Sequence, residues 1–266
     1  MALGSETYSK VAQVMLNGKV MKKSFLSILL VILPICGIAG AAEKVPDIRA
    51  EIRSATGDFR DFTCVTQVVK RNDKVLHKMG KKFVQQYEIK KADTYFKMPD
   101  NVRMEGKIGL LKVQMIMTGN QRIFRVPSLR LTKKEDISEE GFKKQTCIDL
   151  GLLCESAWND FDVKYISTEQ KETGPAYIVD FTRRWENPKT YRISIDKKIL
   201  RILKIEKRDA EGNLQAIFKF PEAKQLNGVI WAPSRAELYS PNGELAAVTE
   251  FYNMKANSGL SAKFFE

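Results

Sequence analysis

The chain has 266 residues, with 44 lysines and arginines against 32 acidic residues, a formal charge of +12 and a single histidine. The basic residues fall in scattered pairs such as Lys81-Lys82, Lys90-Lys91, Lys133-Lys134 and Lys197-Lys198, the pattern of solvated strand ends rather than of one nucleic-acid-binding stripe. No low-complexity linker and no repeat of solenoid period is present, so one domain with a real core is expected.

In chain order, Met21-Lys22-Lys23 gives a short basic start, Phe25 to Ile35 is almost unbroken apolar sequence, and Ala39-Gly40-Ala41-Ala42 supplies small residues before Glu43 and Lys44. This is the three-part layout of a cleaved secretory signal, with an apolar core short for a membrane span. The expected organisation is therefore residues 1–42 as an N-terminal extension plus signal peptide, with Met21 as the start, and residues 43–266 as one exported domain. Ile35 before Cys36 argues against lipid attachment there. No later apolar stretch approaches spanning length, so the mature chain is expected to be soluble. Export further disfavours nucleic acid as a partner.

Ile48, Ile52, Ala55 and Phe59 recur at helical spacing behind Pro46-Asp47, which predicts an amphipathic helix over 45–59. Phe62 to Val69 reads as a strand. Lys74 to Ile89 reads as a longer one, with Phe83, Gln85, Tyr87 and Ile89 on one side. Thr94 to Met98 and Val102 to Glu105 flank the turn signal Pro99-Asp100-Asn101. Val113, Met115 and Met117 alternate with Gln114 and Ile116, and Arg122 to Val126 follows across Gly119-Asn120. Between Thr132 and Asn159 the alternation fades, which predicts a helix or lid interrupting the meander. From Ala176 to Met254 the strands return one after another. Tyr177, Val179 and Phe181 share a face, as do Tyr191, Ile193 and Ile195, and turn residues such as Glu211-Gly212-Asn213 and Pro241-Asn242-Gly243 fill the gaps. The fold class that results is mainly β with a few helices (α+β), built on a single large curved antiparallel sheet.

Chemistry-bearing constellations are thin. His77 stands among lysines with no orienting partner. No Cys/His cluster has metal-ligand spacing, and no Gly-rich phosphate loop or nucleophile elbow occurs, so neither a cofactor, a metal nor an enzyme activity is expected. Of the cysteines beyond the signal, Cys147 and Cys154 are the preferred disulfide pair. A straight helix would hold them about 10 Å apart, so the bridge requires a bend between them, which Gly151 permits. Cys64 is expected to be inert and buried. Apolar supply is what remains. Met104, Met115, Met117, Phe124, Phe181, Phe218 and Trp231 are candidates to line a hydrophobic cavity inside the sheet, although such side chains fill cores as readily as they line cavities.

Asn227-Gly228-Val229-Ile230-Trp231-Ala232-Pro233-Ser234-Arg235 enters a late strand, Pro241-Asn242-Gly243-Glu244 turns into Thr249 to Met254, and the chain closes on Asn257-Ser258-Gly259-Leu260 followed by Phe264. In order and spacing, together with the signal, the N-terminal helix and the interrupted meander, these segments resemble the LolA-like outer-membrane lipoprotein-sorting family. The resemblance covers most of residues 43–266. It implies an unclosed β-barrel with a helical lid, a periplasmic location, and an apolar cavity for acyl chains of lipoproteins or other lipids. Release of such a cargo would require a membrane-associated donor or acceptor protein that shifts the lid equilibrium, because a tight pocket alone is a sink. The inserted segment with Cys147 and Cys154 departs from the family's best-known carriers. A regulatory or structural module that binds another envelope protein is the alternative, and enzyme activity on a lipid is a distant third.

Overall fold

The structure is a computed structural model that describes residues 45–140, 143–184 and 188–266; the signal segment lies outside the described residues. The first half of the chain contributes helix α1 (Ile48–Thr56), strand β1 (Asp61–Arg71), helices α2 (Asp73–Met79) and α3 (Lys81–Gln86), then strands β2 (Lys91–Lys97), β3 (Asn101–Ile108), β4 (Leu111–Thr118), β5 (Gln121–Val126) and β6 (Leu131–Asp136). The second half runs from helix α4 (Ala157–Asp160) into β7 (Phe161–Lys171), β8 (Gly174–Arg183), β9 (Thr190–Asp196), β10 (Ile202–Arg208) and β11 (Leu214–Lys219). It ends in β12 (Ala223–Leu226), β13 (Ile230–Pro233), β14 (Arg235–Tyr239) and β15 (Leu245–Ala256).

Thirteen of these strands form one antiparallel sheet in the order β6-β5-β4-β3-β2-β1-β15-β14-β11-β10-β9-β8-β7, and β12 and β13 form a separate two-stranded ribbon. The two edges, β6 and β7, are consecutive in sequence, yet among the described residues no ladder joins them. The barrel is unclosed, and the segment 137–160 runs from one edge to the other. Register shifts in β1, β7, β10, β14 and β15 mark bulges, the device that bends strands and increases their twist.

Register shows which side chains share a face. In the first half, Phe62, Phe96, Val102 and Met117 are successive cross-strand partners. In the second, Val179, Ile193, Ile205, Phe218 and Leu238 form a matching row. Both rows lie on the inner face; all but Leu238 pack in or against the main core, whereas Leu238 belongs to a second cluster with Val75 and Leu76 of α2 and with Tyr87. Above the main core's side of the sheet sit Ile48, Ile52 and Phe59 of the N-terminal segment and Ile148, Leu152 and Leu153 of the crossing segment, all buried.

Three readings of the sequence are corrected in detail. The N-terminal helix is shorter than 45–59: Asp47 caps it by accepting from the Ala50 N–H at 3.0 Å, and Thr56, rather than the exposed Ala55, continues the buried stripe. Residues 74–89 form α2 and α3 instead of a strand. The Asn72 side chain caps α2, Gly80 at φ 116° separates the two helices, and Phe83 and Tyr87 are four residues apart, a helical spacing that also satisfies alternation. The stretch 132–159 opens as β6 and, in its described residues, continues largely irregular, with a 3-10 turn at Cys147–Leu150 and the short α4. The chain does bend at Gly151, whose φ is 72° and where a Cβ would stand 2.8 Å from Phe220 and Pro233.

The closing segment has a clear physical role. The buried Asp61 carboxylate accepts from Ser258 N–H and Oγ at 2.7 Å, from Gly259 N–H at 3.0 Å and from Leu260 N–H at 3.2 Å, which fixes the C-terminal tail to β1. Phe265 then packs with Ile116 and Ile123 on the outer face. Among the described residues no helix is long and apolar enough to cross a membrane, and no cluster of His, Cys, Asp and Glu has the makings of a metal site.

The inner face and its cover

The candidate site is the inner face together with what lies on it. Met104, Met115 and Phe124 are cross-strand neighbours on β3, β4 and β5, and Met117 shares their face. Met117 is buried and its sulfur accepts from the Gln145 N–H of the crossing segment at 3.1 Å. Met104 and Met115 are half-buried against the core, whereas Phe124, near the β6 edge, is 36% exposed. Phe181 is fully buried on β8 and meets Trp158 edge-on at 5.4 Å and Phe161 at 5.9 Å. Phe218 is half-buried on β11 beneath the Lys207 ammonium, 5.0 Å from its ring centre. Trp231 belongs to the ribbon. Its neighbours Ile230 and Ala232 join the core while Trp231 alternates with them, so the sheet does not bring it together with the other six.

The cover is α1 plus residues 143–160. Backbone hydrogen bonds of the stretch 146–157 are local, such as Leu152 N–H to Cys147 O and Ala157 N–H to Cys154 O. What holds it to the sheet is packing and side chains. Lys144 reaches Asp100 in the β2–β3 turn at 2.7 Å and Tyr177 on β8 donates to Glu51 of α1 at 3.1 Å, while Lys144 with Asp160 at 3.1 Å and Glu155 with Arg49 at 3.1 Å and Arg53 at 2.5 Å tie parts of the cover to each other.

The strongest polar tether is Asp149. Its carboxylate accepts from Thr146 N–H and Oγ1 within the turn (both 3.1 Å), from Arg183 of β8 (3.1 Å), from Lys207 of β10 (2.9 Å) and from Tyr191 of β9 (3.4 Å). Burial on its own would raise this carboxyl, but Lys207 and Arg183 hold it down at about 2. Lys207 is shifted upward because Asp149 outweighs the burial that would lower it. Lys189 is shifted downward, first by burial and then by Lys82, Arg183 and Lys207 around it. This latch escaped the sequence reading, although signals existed. Thr146-x-x-Asp149 has the spacing of a capping box, and Arg183 and Lys207 occupy inward positions two residues past Phe181 and Ile205.

Cys147 and Cys154 are both buried and carry free thiols in this structure. They meet at Ser156, whose Oγ lies 3.3 Å from Cys154 Sγ and 3.8 Å from Cys147 Sγ. Contact with Cys154, then burial, pushes the Cys147 thiol well above its ordinary range. Burial, assisted by Asp93, pushes Cys64 up to about 12, as an inert core thiol should be. Two buried polar atoms of the same half, Thr94 Oγ1 and Gln145 Oε1, have no hydrogen-bond partner. Thr94 faces inward between Cys64 and Met104.

The hollow expected inside the sheet is occupied in this structure by the chain's own side chains, with Ile52, Phe59, Ile148, Leu152 and Phe161 fully buried. Open hollows lie at the rim instead. One of about 690 Å³ runs beside the β2, β3 and β4 ends, and one of about 210 Å³ is lined by Arg122, Phe124, Lys133 and Glu135.

Solved structures share this architecture. A DUF1329 family protein from Desulfovibrio piger ATCC 29098 matches with a TM-score of 0.54 at 15% identity, over 83% of this chain and 95% of that one. An outer membrane lipoprotein-sorting protein domain from Vibrio parahaemolyticus matches with a TM-score of 0.53 at 12% identity, over 82% and 94% of the two chains. A LolA superfamily protein from Nitrosomonas europaea does so at 0.53 and 13%, over 82% and 97%. No family model matches the chain, and no curated protein matches it in sequence. At such identities the likeness establishes the fold alone: a mostly β, LolA-like, unclosed antiparallel sheet with helices.

Proposed function

We propose that the protein is an exported envelope carrier for acyl chains of lipids or lipoproteins, which occupy the inner face when α1 and residues 143–160 move aside. The observation that carries this reading is the contrast between an extensive apolar inner face and a cover that shares packing and side-chain tethers, but few backbone bonds, with it. The Thr94 hydroxyl, buried and unpartnered on that face, is a donor for an ester carbonyl of such a cargo. The lipoprotein-sorting protein and LolA superfamily protein of the same fold lend the reading support by analogy, as does the signal-like segment for a periplasmic location. Neither chemistry nor a cofactor is needed. Release would call for a membrane-associated partner that favours the open cover, because a ligand alone shifts the equilibrium only toward its own bound form.

Native mass spectrometry of the protein recovered from the envelope of a Gram-negative host tests this. One added diacyl lipid, removed by organic solvent, is the expected result; bare polypeptide under every gentle extraction condition would count against it. That second outcome favours an envelope module whose filled interior serves as a rigid shell for binding another protein, a reading supported by the fully buried Phe59, Leu152 and Phe161.

A further inference from the structure

The turn between β3 and β4 ends the sheet in an unusual way. Lys107 faces Lys112 and Ile108 faces Leu111 across the hairpin, with Gly109-Leu110 as the two-residue loop. Gly109 has φ 58°, the positive value that the first position of such a loop requires. The second position tolerates polar residues, yet Leu110 occupies it and is 100% exposed, flanked by Ile108 at 38% and Leu111 at 40%. Single apolar residues on a surface are ordinary. Three together at the extremity of a hairpin, above two directly opposed lysines, form a pattern that folding does not require, because like charges opposite one another oppose pairing.

The charge around the tip is cationic. The groove of about 690 Å³ at its base is lined by Lys90, Lys91, Lys107 and Lys112, against Glu88, Asp93 and Glu105. Glu105 is already engaged, by Arg103 at 2.6 Å and Lys112 at 3.2 Å. We propose that the β3–β4 hairpin tip docks the protein on an anionic bilayer surface, with Ile108, Leu110 and Leu111 entering the interfacial layer and Lys107, Lys112 and Lys91 at the level of the headgroups. Apolar insertion and lysine attraction to anionic lipid reinforce each other in that geometry. This goes beyond the carrier reading and does not depend on it, since the tip lies outside the inner face and needs no cargo.

The test is flotation of the purified full chain with phosphatidylethanolamine–phosphatidylglycerol vesicles and with phosphatidylcholine vesicles, wild type beside Leu110→Asp. Wild type is expected to float with the anionic vesicles and to release in high salt, and L110D to partition at least about tenfold more weakly, as loss of one buried leucine implies. A nitrobenzoxadiazole label on Leu110→Cys should shift its emission to the blue on vesicle addition, while the same label on Thr173→Cys, in the exposed β7–β8 turn, should not. Equal flotation of wild type and L110D would overturn the proposal. So would a label at position 110 that stays in water, or an L110D change confined to self-association by sedimentation.

Discussion

Asp149 and Thr94 are the residues whose energetics make the account testable. The Asp149 carboxyl sits at about 2 against an ordinary 3.8, so its folded form is favoured above the unfolded value and the advantage fades as pH falls through the folded one. Across about pH 5 to 2 the latch should lose about 2 kcal/mol. Urea unfolding over that window is expected to show a smaller acid-induced loss in Asp149→Asn than in wild type, and equal slopes would remove the carboxylate from the latch. Thr94→Val tests the opposite kind of group. Replacing a buried, unpartnered hydroxyl by a methyl of the same shape should raise stability by about 1 kcal/mol in denaturant melts, and by this account weaken lipid retention. A destabilised T94V would mean that the hydroxyl is already satisfied.

Among the elements, the strands of the second half were the most legible. The alternation of Tyr177, Val179 and Phe181, or of Tyr191 and Ile193, reports an inner face directly, because these side chains are buried while Asp180, Thr182 and Arg192, which alternate with them, are only half-buried, although Ile178 and Ser194 of the other face are buried as well. Residues 74–89 misled for a definable reason: Phe83, Gln85, Tyr87 and Ile89 alternate, but Phe83 and Tyr87 also lie one helical turn apart, and Asn72 and Gly80 decide in favour of helices. The cover was legible only as a break in alternation. Its fold depends on Asp149 meeting Arg183 and Lys207, partners 34 and 58 residues away, which no local pattern encodes. The cysteines belong to this element too. If the chain is exported into an oxidising compartment, Cys147 and Cys154 should join and leave Cys64 as the one reactive thiol of the three on denaturation, with a gain of about 2–3 kcal/mol over the reduced form. Three thiols titrating in protein from the periplasm would contradict this.

The described domain is a long sheet whose two edges no ladder joins among the described residues, and that single fact underlies its proposed use. Displacing the cover exposes large apolar side chains at about 1.5–3 kcal/mol each, while an acyl chain of roughly fifteen methylenes recovers about 12 kcal/mol. Opposed terms of similar size allow exchange in either direction with a modest push from a partner. The run of alternating strands made a mostly β, LolA-like sheet readable from the chain; that the inner face is filled by the chain's own side chains was not, because it depends on where α1 and the crossing segment come to rest. Hydrogen exchange with and without a soluble diacylated lipopeptide addresses the central claim directly. On binding, amides of α1 and residues 143–160 should exchange faster while those of β8, β9 and β10 stay protected. Unaltered exchange throughout the cover at lipopeptide concentrations that saturate any binding would contradict it.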